Sequence, residues 1–160
     1  LEEDNQHTEQ PVTPVMEEEV PQLRIDPWMR GLLLIAGAYN LGWGAFIYYF
    51  PASFYQWVTE GYQDLPALIK WQGLGVLLFG LGYILTAVSP RRYWWVVPLG
   101  IVSKCVGAIG FYFVFMEQTI TRPYLFHLIM NDLLWLIPLT IIFVRMVHIR
   151  KQRIAYEQVT

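Results

Sequence analysis

A single cysteine, Cys105, stands in 160 residues. That excludes an internal disulfide, a cysteine-built metal box and a Cys-x-x-Cys-His haem attachment, and it leaves the redox compartment unread. Charge is scarce too: 15% of the residues are charged and 55% are hydrophobic. Eight of the thirteen acids (Glu2, Glu3, Asp4, Glu9, Glu17, Glu18, Glu19 and Asp26) precede residue 27, so the net charge of −2 reports a tail rather than a surface. No basic patch is present, which removes nucleic acid from the partners. Nucleophile triads, phosphate loops, carboxylate dyads and metal boxes are all missing, and neither Ser103 nor Thr86 has a base placed by a recognisable pattern. The chain therefore offers no catalytic residue and no metal site, and it does not read as an enzyme.

Four long apolar runs fill most of what is there, at about 28–50, 67–88, 93–116 and 124–147. Each is roughly 22 to 24 residues, enough to cross about 30 Å of hydrocarbon at 1.5 Å per residue. They are too long and too continuously apolar for strands. The expected fold is all-α: a four-transmembrane-helix bundle over 27–149, preceded by an extended acidic tail (1–26) and followed by a short basic and polar tail (150–160). Asp26-Pro27 offers a cap with proline in the first turn. Pro51 to Leu65 suits a short interfacial helix presenting Phe54, Tyr55 and Trp57 to headgroups, while 89–92 and 117–123 read as turns. Pro98 and Pro138 are candidate kinks.

The first 26 residues hold three prolines and no helical apolar face. Such a segment buries too little surface to fold alone; it is expected either to be solvated or to lie along a partner. It is acidic and lacks an apolar core, so it does not read as a signal peptide, and a start at Leu rather than Met is what trimming ahead of residue 1 would leave. Arg24, Arg30, Arg91, Arg92, Arg145, Arg150, Lys151 and Arg153 fall on one side of the spans, against Lys70 and Arg122 on the other. That bias predicts cytoplasmic termini in a bacterial inner membrane, with the basic C-terminal end near anionic headgroups.

Asn131 and Asp132 sit inside the fourth run. An acid in hydrocarbon costs several kcal/mol, on the order of 3 by insertion scales, unless it is paired, hydrated or turned inward. Lys104 and Asn40 are the internal candidates to answer it. With the predicted topology, helical rise places Asn40, Gln72, Lys104, Asn131 and Asp132 at depths of roughly 8 to 18 Å from the outer side, so they form one polar zone. Side chains tilt toward their helix N-terminus, which widens the gap between Lys104 and Asp132. A direct pair then needs the lysine stem to turn back or a bridging water, and a shared network with Asn40 and Gln72 is favoured. Three readings of the cluster stay open: interhelical glue, a site for a proton, ion or polar head group, and pairing with another subunit.

His127 shares a face with Asn131 and offers one imidazole to a haem or chlorophyll-type pigment, without a paired axial set. Bound lipid is the only other non-protein group expected. Gly37 and Gly44, Gly73 and Gly80, Gly75 and Gly82, and Gly100 and Gly107 are each seven apart, which returns nearly to one face and predicts stripes for close helix approach.

The motifs AYNLGWG (38–44), KWQGLG (70–75) and MNDLLWLIP (130–138), with Lys104 in the third span, resemble a group of small bacterial four-helix membrane proteins loosely similar to the DoxX-like proteins. The resemblance covers about 28–147 and implies a bioenergetic, quinone-linked setting; it carries over no catalytic residue. The expected function is a non-catalytic accessory subunit of a larger membrane complex, respiratory or photosynthetic, partnered by other membrane subunits and lipids. The alternatives are a small transporter or polar-ligand-binding membrane protein using the Asn/Gln/Lys/Asp cluster, and a quinone-linked oxidoreductase subunit.

Overall fold

The computed structural model describes residues 25–61, 65–115 and 120–158. The acidic tail before Ile25 and the start of the 117–123 turn lie outside them. Among the described residues every element is helical: α1 (Pro27–Tyr49), α2 (Pro51–Thr59), α3 (Leu68–Val88), α4 (Pro90–Tyr93), α5 (Val96–Phe115), α6 (Arg122–Leu128), a π-helical turn (Ile129–Leu133) and α7 (Leu134–Glu157). Three helical stretches are long and apolar enough to cross a membrane: α1, α3 and the continuous rod Arg122–Ala155 made of α6, the π turn and α7. They mark the chain as a membrane protein. The remaining apolar run, the third in the chain, appears as α5, which is 20 residues long.

Prolines punctuate the chain. Proline occupies the first or second position of α1, α2, α4 and α6, where no backbone donor is needed. The residue before a proline is pushed out of the helical region. Phe50 (φ −125°, ψ 51°) and Ser89 (φ −132°, ψ 73°) are such residues, and they end α1 and α3 while still donating to Phe46 O at 2.9 Å and Leu85 O at 2.8 Å. Asp26 precedes α1 as expected, but its carboxylate accepts from Trp28 Nε1 at 3.2 Å instead of capping the helix.

Several expected boundaries and faces change. The third run begins at Val96, because Pro90–Tyr93 forms its own helical turn and Trp94 and Trp95 make the corner. Pro98 then falls in the first turn of α5, so it has no interior helical bond to break. The fourth run is helical well past 147, as far as Glu157, so most of the expected C-terminal tail is helix; Arg150 stacks on the Trp94 ring at 4.4 Å and ties that extension to the α4–α5 corner. α2 forms where an interfacial helix was expected, but Phe54 (0% exposed) and Tyr55 (6%) face the protein rather than headgroups. Trp43 and Phe46 of α1 receive Phe54 edge-on at 6.3 Å.

α1 and α3 are antiparallel and touch through glycine. A Cβ at Gly37 would lie 2.9 Å from Gly80 O, and one at Gly80 would lie 2.9 Å from Gly37 O. Farther along, a Cβ at Gly44 would lie 2.9 Å from Gly73 O. Equal seven-residue spacing on both helices lets both pairs meet at once, and this close approach supplies the van der Waals contact that holds helices together where lipid removes the hydrophobic drive.

The interior is layered along the bundle. One apolar cluster joins Met29, Leu33 and Ala36 of α1 to Tyr83, Ala87, Val96, Val97 and the α7 stripe Trp135, Leu139, Ile142 and Met146. The 4-3-4 spacing of that stripe keeps it on one helix face. A second cluster joins Ile47, Phe54, Tyr55, Val58, Ile69 and Tyr124. Asn40, Gln72 and Asn131-Asp132 fall between the two clusters on their respective helices, so a polar layer separates two apolar ones.

Candidate polar site within the bundle

The π turn is where the site is built. Its five residues, IMNDL, contain Asn131 and Asp132, and the turn closes with Leu134 N donating to Ile129 O. A π turn widens the helix and misaligns local carbonyls, and such turns recur at functional positions. Pro138, inside α7, removes the donor that would have met the Leu134 carbonyl. The widened turn turns both polar side chains inward: Asn131 is 3% exposed and Asp132 7%.

Lys104 reaches this turn from α5. Its ammonium lies 3.6 Å from Asp132 Oδ1 and donates to the main-chain carbonyl of Asn131. Asn131 Nδ2 donates to Asp132 Oδ1 at 3.0 Å. The direct Lys104–Asp132 pair therefore forms despite the depth gap. Asn40 does not join it by hydrogen bond: its Nδ2 donates to Ala36 O, one turn back on α1, at 2.8 Å.

A cavity of about 160 Å³ collects these groups. Asn40, Gln72, Lys104, Asn131 and Asp132 all line it, from α1, α3, α5 and the π turn. Phe79, Tyr83 and Ser103 complete the wall, with Gly75, Gly100 and Gly107. Two buried polar atoms on this wall, Tyr83 Oη and Asn131 Oδ1, have no hydrogen-bond partner among the described residues. Buried polar atoms are nearly always satisfied, and the exceptions ask for an explanation. The space has room for several waters or a small polar group, with more than enough partners to hold one.

The second pair of glycine stripes shapes the cavity. At one end α3 and α5 approach closely: a Cβ at Gly82 would lie 2.8 Å from Val96 Cγ1, and one at Gly100 would lie 2.9 Å from Tyr83 Cζ. At the other end Gly75 and Gly107 have nothing within 4 Å of the Cβ position among the described residues. The helices part there, and the space between them is the cavity.

His127 is buried but belongs elsewhere. Its Nδ1 accepts from Trp43 Nε1 at 3.0 Å, the two rings stack at 5.8 Å, and Phe54 meets the imidazole edge-on at 5.1 Å. It is not on the cavity wall, so Asn131 and His127, four apart, serve different surroundings. Among the described residues no group of three His, Cys, Asp or Glu is placed to hold a metal ion.

Tyr83 is the wall residue that sequence reading passed over. Its signal was position: most span tyrosines lie near helix ends, whereas Tyr83 is deep in α3, and a buried tyrosine hydroxyl normally has a partner. Ser103 has no patterned base in the sequence, and its relevance is its place beside Lys104 on the wall. Comparison of the chain with protein-family models, curated proteins and solved structures returns no match.

Proposed function

We propose that the chain is a four-span protein of the bacterial cytoplasmic membrane, with both termini cytoplasmic, that binds a small polar ligand in the cavity between α1, α3, α5 and the π turn. One observation carries this reading: five polar side chains from four separated stretches of sequence enclose one space and do not exhaust their bonds on each other. Polar side chains that act only as glue bond across the helix interface. Here Asn40 bonds its own helix, and two residues of the cavity wall keep a buried polar atom, Tyr83 Oη and Asn131 Oδ1, with no hydrogen-bond partner among the described residues. Asp132 finds its cation in Lys104 of the same chain, which favours an internal site over one completed by another subunit. The accessory-subunit expectation rests on the glycine stripes, the many aromatic side chains and the missing catalytic motifs; of the stripes, Gly37, Gly44, Gly73 and Gly80 pack against each other within this chain.

α5 completes the set of four spans: its 20 residues reach roughly 30 Å, the thickness of the hydrocarbon core. The Lys and Arg bias supports the orientation, and the resemblance to small DoxX-like membrane proteins supports the bacterial setting. Native mass spectrometry of the full chain, released from its membrane in lipid discs, tests the reading. The wild type should carry a stoichiometric non-protein mass that a Lys104→Met/Asp132→Leu variant lacks. A wild type with no mass beyond that of the double variant overturns it. A second polypeptide retained equally by both proteins would restore the accessory-subunit reading.

A further inference from the structure

A second, apolar space adjoins the polar one. It measures about 370 Å³ and runs along the groove between α3 and α5, lined by Leu78, Leu81, Leu85, Trp95, Val96 and Leu99. Gly75 and Phe79 line both spaces. Gly75 brings no side chain there, and among the described residues no atom lies within 4 Å of where its Cβ would be, so Phe79 is the one residue lining both spaces that carries a side chain. From Gly75 to Leu85 the groove covers about 15 Å of helix.

We infer that the ligand is an uncharged, hydroxyl-bearing, single-chain lipid, its head in the polar cavity and its chain in the α3–α5 groove. This rests on the polar-ligand reading and gives its chemical class. The head is uncharged because the charges of the cavity, Lys104 and Asp132, already face each other at 3.6 Å; a further charge would stand uncompensated in a low-dielectric space. It bears a hydroxyl because the half-buried Gln72 and Ser103 on the cavity wall each offer both donor and acceptor groups, and an uncharged hydroxyl meets either role. It has an apolar chain because the exit past Gly75 and Phe79 leads into a groove with almost no polar wall, which water fills poorly and a hydrocarbon chain fills well.

The test uses the full chain in phosphatidylcholine vesicles with monododecanoylglycerol bearing a photoreactive diazirine in mid-chain. A control probe has the same chain and a trimethylammonium head. Crosslinks mapped by mass spectrometry should fall on Leu81, Leu85 and Leu99, at least fivefold more with the glycerol head. That preference should vanish in Lys104→Met/Asp132→Leu. It should also vanish in Gly75→Phe, which plugs the junction, and in Leu85→Trp, a change on the exposed groove rim that leaves the interior untouched. Equal crosslinking by both heads, unchanged in the double variant, is ordinary lipid contact and overturns the inference. Head selectivity that survives both Gly75→Phe and Leu85→Trp also overturns it, since the chain then lies elsewhere. In either case a polar mass lost from the double variant would leave the binding reading standing. Absence of both the mass and the selectivity overturns the two together.

Discussion

Two helix seams in this protein are written with the same spacing and built to opposite ends. Between α1 and α3, Gly37 meets Gly80 and Gly44 meets Gly73, backbone against backbone. Between α3 and α5, Gly82 and Gly100 meet side chains, whereas Gly75 and Gly107 meet nothing. The first seam is closed along its length; the second closes at one end and opens at the other around Lys104 and the π turn. Glycine removes a side chain in both cases. What fills the vacated volume decides the result: the backbone of a partner helix in one seam, a cavity in the other. A π turn opposite the open end turns Asn131 and Asp132 into that cavity.

The largest way to break the comparison is to disarm the open seam. Lys104→Met leaves Asp132 buried without its cation, and losing one partner of a buried pair typically costs about 3–5 kcal/mol. Lys104→Met/Asp132→Leu removes both charges and should recover most of that loss, because a buried pair replaced by apolar groups is often neutral. Reversible unfolding in mixed detergent micelles measures both. If the single variant is no less stable than the double, the ion pair does not hold the open end together.

The closed seam should yield next. Gly44→Ala and Gly80→Ala each place a Cβ against a carbonyl oxygen 2.9 Å away, on a backbone that has no rotamer to yield. Overpacking of this kind costs about 1–3 kcal/mol, read as a lowered unfolding midpoint. A smaller loss is expected for Gly100→Ala, on the order of 1 kcal/mol, because the obstacle is the Tyr83 side chain rather than backbone. Tyr83→Phe should recover part of it by removing the hydroxyl that the new methyl meets. Full additivity of the two changes would show that Tyr83 moves aside freely.

Much of this was legible in the residues. Length and apolar continuity predicted the helices, and Asp26-Pro27 predicted where α1 starts. The residue types of the cavity wall were legible because each is costly in hydrocarbon and asks for company: Asn40, Gln72, Lys104, Asn131 and Asp132 do line one space. Their pairing was harder. Side-chain tilt on regular helices widens the gap between Lys104 and Asp132, but the π turn at 129–133 changes the helix phase just where Asp132 sits, and no local signal in IMNDL announces a wider turn. Faces were harder still. Phe54 and Tyr55 suit an interfacial belt by composition, yet both are buried and Phe54 packs on Trp43 and His127, because α2 folds back under the bundle end after Pro51. Glycine spacing predicted close approach at eight positions; no spacing tells a glycine that admits backbone from one that leaves room for a ligand.

The smallest expected effect sharpens that last distinction. A Cβ at Gly75 or Gly107 meets no atom within 4 Å, so Gly75→Ala and Gly107→Ala should shift stability by no more than about 0.5 kcal/mol. Alanine's better helix propensity, worth up to about 1 kcal/mol over glycine in water, pushes in the stabilising direction. The same substitution on the same helix, α3, therefore has opposite expected outcomes at Gly80 and at Gly75, although both glycines belong to a seven-residue stripe. Unfolding midpoints of the two variants, measured side by side in one micelle composition, check this. If Gly75→Ala costs as much as Gly80→Ala, something packs against Gly75 in the membrane. The open end of the α3–α5 seam would then be an interface with another helix rather than the mouth of a binding site.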